Sequence, residues 1–342
     1  MKITNTRRGF TIVELMVVVA IIALLISLLV PALASSFASA KATQDQAQIR
    51  GVMAGTLQSA AAFNDKFISP DLIAREQYTG SSTPGYVWGK GNRVIRWNST
   101  ESLCSALIMR KLLEPSAFVS PVDPNPYIGA KGQVEESGGI GVPYNWDCYD
   151  PNNACANVLE SPYGFWDTAF YCDLKPNSTE DADHNSYANS TLCGHRLKKW
   201  NANQGHDRIT WSTRGSEMGA TVGDPLYDDS PALEMIGEDT LLISHMTHAD
   251  GSVTRETNFK PVLHYSVSQG RPMEDNVFDA EFCDEYFMPS SGQAQCFGAA
   301  DNFLTYSNNN YTSGSPSPLF PNGNVLDSYA QTRCSWDTDG DW

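Results

Sequence analysis

Residues 7–31 read RRGFTIVELMVVVAIIALLISLLVP, and within them the run 10–30 is apolar except for Thr11, Glu14 and Ser27. A helix needs about 20 such residues to cross a bilayer, so the run predicts one membrane-spanning helix. Lys2, Arg7 and Arg8 precede it with no acid among the first nine residues. Basic flanks stay cytoplasmic, which places residues 1–9 inside the cell and the body of the chain outside it. A cleavable secretory signal is the alternative reading. Its only small-residue stretch, PALASSFASA at 31–40, follows an apolar run longer than such signals carry.

Glu14 is the one acid inside the run. A carboxylate in hydrocarbon costs about 2.5 to 3.5 kcal/mol on insertion scales. It must therefore sit close enough to the interface to reach water, or meet a positive group when subunits come together, which would make it a device for setting register.

These residues resemble the prepilin-type segment of type IV pilins and of the pseudopilins of type II secretion systems. In that family a short basic leader ends in Gly, a dedicated peptidase cuts after it, and the new first residue is N-methylated. The resemblance puts the cut between Gly9 and Phe10, makes Phe10 the methylated N-terminus, and makes Glu14 the assembly glutamate at the fifth position of the mature chain. It matches Pro31 to the family's helix-kinking proline, which lacks an amide hydrogen and clashes with the preceding turn. The partners it implies are a prepilin peptidase, other pilin or pseudopilin subunits and an inner-membrane assembly platform. The resemblance implies a single-pass anchor in the inner membrane with the head in the periplasm, and after assembly a place in a pilus, a pseudopilus or at the cell surface.

The remainder of the 342-residue chain differs in kind. It carries most of the 39 acidic residues behind a formal net charge of -16, which disfavours nucleic acid as a partner. Length alone predicts roughly two domains of about 150 residues, but no linker divides the polar part. The organisation expected is a leader at 1–9, an assembly helix at 10–30, an amphipathic helix at 31–68 and a single head at 69–342. Ile49, Val52, Met53, Leu57, Ala60, Ala61, Phe63 and Phe67 recur at spacings of three and four, one face of a helix, with Lys41, Gln44, Asp45, Gln48 and Asp65 among its polar neighbours. A second helix is expected from Ser99 to Leu113, with Asn98 and Glu101 at capping-box spacing. Strands are expected at 86–88, 93–97, 240–245, 252–254 and 262–267, and LLISHMTHADGSVTRE predicts a hairpin turning at Asp250 and Gly251. Residues 124–235 read as loop. The fold class is therefore α+β, a long N-terminal helix packed on an antiparallel sheet, with a loop-rich head.

All eight cysteines follow the apolar run. An even count on the exported side points to disulfides, although eight cysteines allow roughly 100 pairings. Neighbours in sequence pair Cys148 with Cys155, Cys172 with Cys193 and Cys283 with Cys296, which leaves Cys104 for Cys334. Zinc is disfavoured because no paired ligand spacing occurs.

The C-terminal CSWDTDGDW sets Asp337, Asp339 and Asp341 at alternate positions around Gly340, donors of the hard, oxygen-rich kind that calcium takes. The pseudopilin resemblance implies calcium near the C-terminal end as well; a solvated acidic tail is the plainer alternative. Asp224, Asp228 and Asp229 form a second acidic loop. His245, His248 and Asp250 would serve a metallohydrolase only if the imidazoles converged, and residues three apart on a strand face opposite sides. HADGSV also resembles a recurrent hairpin of large pseudopilin-like proteins, in which a His often stands ten residues before the Asp; here Thr240 holds that place. No nucleophile elbow, Walker or Rossmann glycine pattern occurs. Eight tryptophans and fourteen tyrosines would line a carbohydrate or peptide groove or simply fill a core. The expectation is a structural subunit and not an enzyme, with a minor or tip subunit whose head binds a secreted substrate or an external surface as the alternative, and a membrane-anchored hydrolase as a third.

Overall fold

The computed structural model describes residues 11–77, 85–89, 92–93, 98–125, 128–132, 143–146, 165–167, 169–172, 184–190, 192, 197–215, 223, 225–228, 230, 232–236, 243–257, 262–266, 271–275, 277, 286–287, 295–296, 304–308 and 333–335. Helix α1 runs unbroken from Ile12 to Ala60, 49 residues, or about 74 Å at 1.5 Å per residue. It starts on a capping box. Thr11 Oγ1 accepts the Glu14 N–H, and the Glu14 carboxylate accepts the Thr11 N–H, so two donors that a helix start leaves unpaired are satisfied reciprocally.

The two halves of α1 live in different surroundings. From residue 11 to 33 every side chain is exposed, whereas Asp45, Ile49, Val52, Met53, Gly55, Thr56, Ser59 and Ala60 are buried. These recur on one face and seat the helix in the head. Burying one Ile, Val or Met is worth about 1.5 to 3 kcal/mol. The expected helix through residue 68 ends early, at Ala60. Asn64 and Asp65 take positive φ of 55° and 63°, a region these two residue types enter more readily than other side chains, and the Asp65 N–H closes on the Ala60 carbonyl at 3.1 Å.

Helix α2 is a single turn, Pro70–Ile73, and α3 spans Thr100–Met109. The cap of α3 is Ser99, whose hydroxyl accepts the Ser102 N–H, and not Asn98. Asn98 instead accepts the Asp71 N–H at 2.9 Å and donates to the Leu192 carbonyl. The helix also stops four residues before Leu113. Lys111 adopts φ 56°, with Lys111 N–H on the Ile108 carbonyl and Leu112 N–H on the Leu107 carbonyl. This is a Schellman ending without the glycine that announces one.

Strands β1 (Ala74–Gln77), β2 (Gly85–Trp88) and β3 (Asn92–Arg93) form a small antiparallel sheet in the order β2-β1-β3. The main sheet is antiparallel and six-stranded. It takes β4 (Tyr187–Ser190), β5 (Ile209–Thr213), β6 (Ser244–His248) and β7 (Val253–Glu256), with β12 (Leu304–Asn308) and β13 (Arg333–Ser335) returning beside β4. Between β7 and β12 come two separate pairs, β8 (Val262–Ser266) with β9 (Arg271–Asp275) and β10 (Tyr286–Phe287) with β11 (Gln295–Cys296). The architecture is α+β, with α1 lying across β5 and β6.

The hairpin expected at Asp250 and Gly251 is present: Thr247 pairs with Val253, and Gly251 turns at φ 86°. Its tip rests on α1, where a Cβ on Gly251 would meet Leu57 Cδ1 at 2.8 Å. Strands β4 and β5 correct the expectation that 124–235 is loop. Both are buried at every position, so a sheet centre built of YANS and ITWST has no polar face to alternate with an apolar one.

Candidate functional site

The upper half of α1 is the first functional surface. Leu24, Leu25, Leu28 and Leu29 are each more than 60% exposed within a continuous apolar sleeve that begins at Ile12. A soluble monomer rarely exposes more than a few hundred Å² of contiguous apolar surface. By length and composition α1 is able to cross a membrane.

Glu14 enters this sleeve already partly satisfied. Its Oε2 accepts the Thr11 N–H at 2.9 Å and the Thr11 hydroxyl at 2.8 Å, which leaves Oε1 for a donor from outside the chain. The capping box thus lowers the desolvation burden of the carboxylate before any partner arrives. Gly9 and Phe10 lie outside the described residues. Pro31 lies inside the helix, which continues for 29 residues to Ala60, so the proline does not end it. Having no N–H, Pro31 leaves the carbonyl of Ser27 without its helical donor. Hydroxyls bond back to the helix around it: Ser27 to the Leu24 carbonyl, and Ser35 and Ser36 both to that of Ala32.

The second surface is the seat of α1 in the head. Asp45, one of the polar neighbours in the sequence reading, is fully buried. Its Oδ2 lies 2.6 Å from His245 Nδ1, and its Oδ1 accepts the Tyr187 hydroxyl at 2.8 Å and that of Ser120. With the carboxylate ionised, all three partners donate, so one helix residue ties together β4, β6 and the loop after the 3-10 turn Pro115–Phe118. Burial, and then the Asp45 charge, push the Tyr187 hydroxyl pKa well above its ordinary value, which keeps it a donor. Gln48, one turn below, donates to the carbonyls of Ser116, Ala117 and Val119.

A bulge completes the seat. Ile209 pairs with His248 but Trp211 with Thr247, so Thr210 is the extra residue and consecutive side chains face the same way. Both then reach α1: Thr210 Oγ1 contacts Met53 Sδ at 3.1 Å, and Trp211 Nε1 donates to Thr56 Oγ1 at 3.1 Å. The Thr247 hydroxyl accepts the Trp211 N–H that the bulge displaces.

His245 and His248 diverge. His245 faces Asp45 on α1, whereas His248 contacts the His206 carbonyl and Thr254 Oγ1 and stacks on the His206 ring at 3.8 Å. Burial, and next the His206 ring, hold the His248 pKa below its usual value. Asp250 accepts from the Ser252 N–H and hydroxyl within the hairpin. No group of three metal-ligating side chains occurs among the described residues, and the three do not converge on one point.

Asp337, Asp339 and Asp341, with Asp224 and Asp229, lie outside the described residues; Asp228 accepts weakly from the Gly223 N–H at 3.5 Å. Cys104 is a buried thiol in α3 whose side chain fills core space beside Leu103 and Leu107, while the side chain of its expected partner Cys334 lies outside what is described. Cys172 is buried, while its expected partner Cys193 lies outside the described residues. So do Cys148, Cys155 and Cys283, and of Cys296 and Cys334 only the strand pairing is described.

Residues 4–30 match the family described as the prokaryotic N-terminal methylation motif. No curated protein and no solved structure matches the chain.

Proposed function

We infer that this chain, type IV pilin-like by the methylation motif at residues 4–30 and the apolar helix that follows, is a structural subunit that polymerises through α1. The observation that carries the reading is the division of α1 into an exposed apolar half and a half seated in the head. In the membrane the sleeve faces lipid; on assembly it faces the sleeves of neighbouring subunits, and the apolar surface stays away from water in both states.

Cleavage after Gly9 would remove Lys2, Arg7 and Arg8 and expose an amine at Phe10. Glu14 Oε1 of a neighbouring subunit then meets that amine in an apolar core, and each charge offsets the desolvation of the other. A prepilin peptidase, further subunits and an inner-membrane platform are the partners this requires. The head, attached through Asp45 and the buried face of α1, stands on the periplasmic side and moves as one piece with its helix. The chemistry of the chain is packing and charge pairing, without a catalytic step.

Mass spectrometry of the mature protein tests the processing: the reading expects an N-methylated Phe10, and an intact Met1 or a terminus within 31–40 defeats it. Glu14→Ala is expected to insert in the membrane normally and fail to assemble. Filaments of normal length from that variant would remove Glu14 from the mechanism.

A further inference from the structure

His206 and His248 come from separate stretches of chain, the segment leading into β5 and the end of β6, yet their ring centroids lie 3.8 Å apart and their planes 18° from parallel. The hydrogen bonds around them set both neutral tautomers. His248 Nδ1–H donates to the His206 carbonyl, so its Nε2 accepts from the Thr254 hydroxyl at 3.0 Å. The Ser252 hydroxyl donates to Asp250 Oδ1 at 2.6 Å, so it accepts from His206 Nδ1–H at 3.0 Å. His248 is buried, whereas the His206 side chain is 55% exposed. The stack closes a contact that bears on α1. Beside it the Ala249 N–H reaches the Arg208 carbonyl at 2.8 Å, and Gly251 rests on Leu57 of α1. Ile209, paired with His248, opens the bulge that turns Thr210 and Trp211 onto the same helix.

We propose that the His206–His248 stack is an acid-operated latch, which holds the tip of the β6–β7 hairpin against the entry to β5 and against α1 near neutral pH and releases it when both rings are protonated. His206 keeps Nε2 for a proton, on a side chain open to water, and Asp250 Oδ2 faces the resulting charge from 3.7 Å. A second proton goes to His248 Nε2. It turns the Thr254 hydroxyl from donor to acceptor and sets two like charges face to face at 3.8 Å, where their repulsion acts against the stack. Burial, and next the His206 ring, hold the His248 pKa below its usual 6.5. The charged groups that bear on His248 are His206, Asp250 at the turn and Glu256 on β7. Arg208 is turned to the Ser190 hydroxyl, and α1 meets the tip through Leu57. An imidazole depressed in the closed state binds its proton more tightly in the open one, so closure is complete above about pH 6.5 and is lost as pH falls.

The latch works within one chain, so it stands or falls independently of assembly. Hydrogen exchange of the full chain in lipid nanodiscs, read by mass spectrometry at about pH 7.5 and about pH 5 and corrected for intrinsic rates, measures it. Protection of residues 244–256 is expected to fall about tenfold or more in acid relative to α3 and β4. His206→Asn and His206→Gln keep a donor toward Ser252 and cannot take a charge, and the side chain they replace is exposed, so both should fold and lose no more than about threefold. Unchanged relative protection of the hairpin in the parent chain overturns the proposal. So does the parent's full loss in either His206 variant, which would remove the stacked charges from the cause. A loss shared equally by α3 and β4 would be acid destabilisation of the whole head rather than release of its tip, and overturns it too.

Discussion

Asp45 on α1 and His245 on β6 stand 2.6 Å apart, carboxylate Oδ2 to imidazole Nδ1, both buried and separated by 200 positions in the chain. The same carboxylate accepts from Tyr187 and Ser120. Asp45→Ala would strand three buried polar groups, at a cost of about 3 to 5 kcal/mol, and Asp45→Asn should cost less because one carbonyl oxygen remains. Urea denaturation followed by tryptophan fluorescence measures the loss. A change below about 1 kcal/mol for the Ala variant would mean that Asp45 does not hold the head to its helix.

Gly251 combines a left-handed backbone with a close approach to Leu57. Gly251→Ala is expected to destabilise the fold by about 1 to 3 kcal/mol, and Leu57→Ala to recover part of that in the double variant. Strict additivity of the two substitutions would place the hairpin tip away from α1.

His184 is held neutral by burial, which lowers its pKa from 6.5 to about 4 against the opposing pull of the Gly129 carbonyl. A histidine depressed in the folded state takes up its proton more readily when unfolded, so stability is fully present above about pH 6.5 and falls as pH drops toward 4. His248 acts in the same direction. The His184 share is about 3 kcal/mol. Denaturation midpoints at pH 7.5 and 4.5 should differ less in His184→Gln than in the parent; equal slopes would refute the assignment.

Cys104 should resist maleimide in the folded chain and react in urea without added reductant, because it is a free thiol hidden in α3. Labelling that requires reductant would show it bridged.

Pro31→Ala supplies the missing amide hydrogen and raises local helix propensity by about 3 kcal/mol. Hydrogen exchange over residues 27–35 should slow, with the head unaffected, since Pro31 lies 14 residues before the buried Asp45. Unchanged exchange would mean that the Pro31 gap is closed by other bonds.

The anchor was legible residue by residue. Glu14 and Pro31 occupy one helix capped by Thr11, and their relations follow from spacing along the chain. The divergence of His245 and His248 was equally legible, because strand geometry fixes which side each residue faces. Helix ends were less so: Lys111 and Asn64 turn the chain at positive φ with no glycine to mark the place. Least legible were β4 and β5, whose Asn, Ser and Thr residues spell a loop in isolation. They become central strands once hydroxyls and amides find partners such as Thr247 for Thr210 and Thr100 for Asn189.

By itself the sequence determined the membrane-length helix, the charge asymmetry across it, the methylation motif and the hairpin at Gly251, since each is a local property written within about thirty residues. Only the tertiary structure decided that Asp45 is buried rather than solvated, that a bulge turns both Thr210 and Trp211 onto α1, and that Cys104 packs in the core beside Leu103 and Leu107. The reason is physical: a polar or sulfur-bearing side chain acquires its role from groups brought to it by folding, and desolvation makes that role favourable only where those partners are in place.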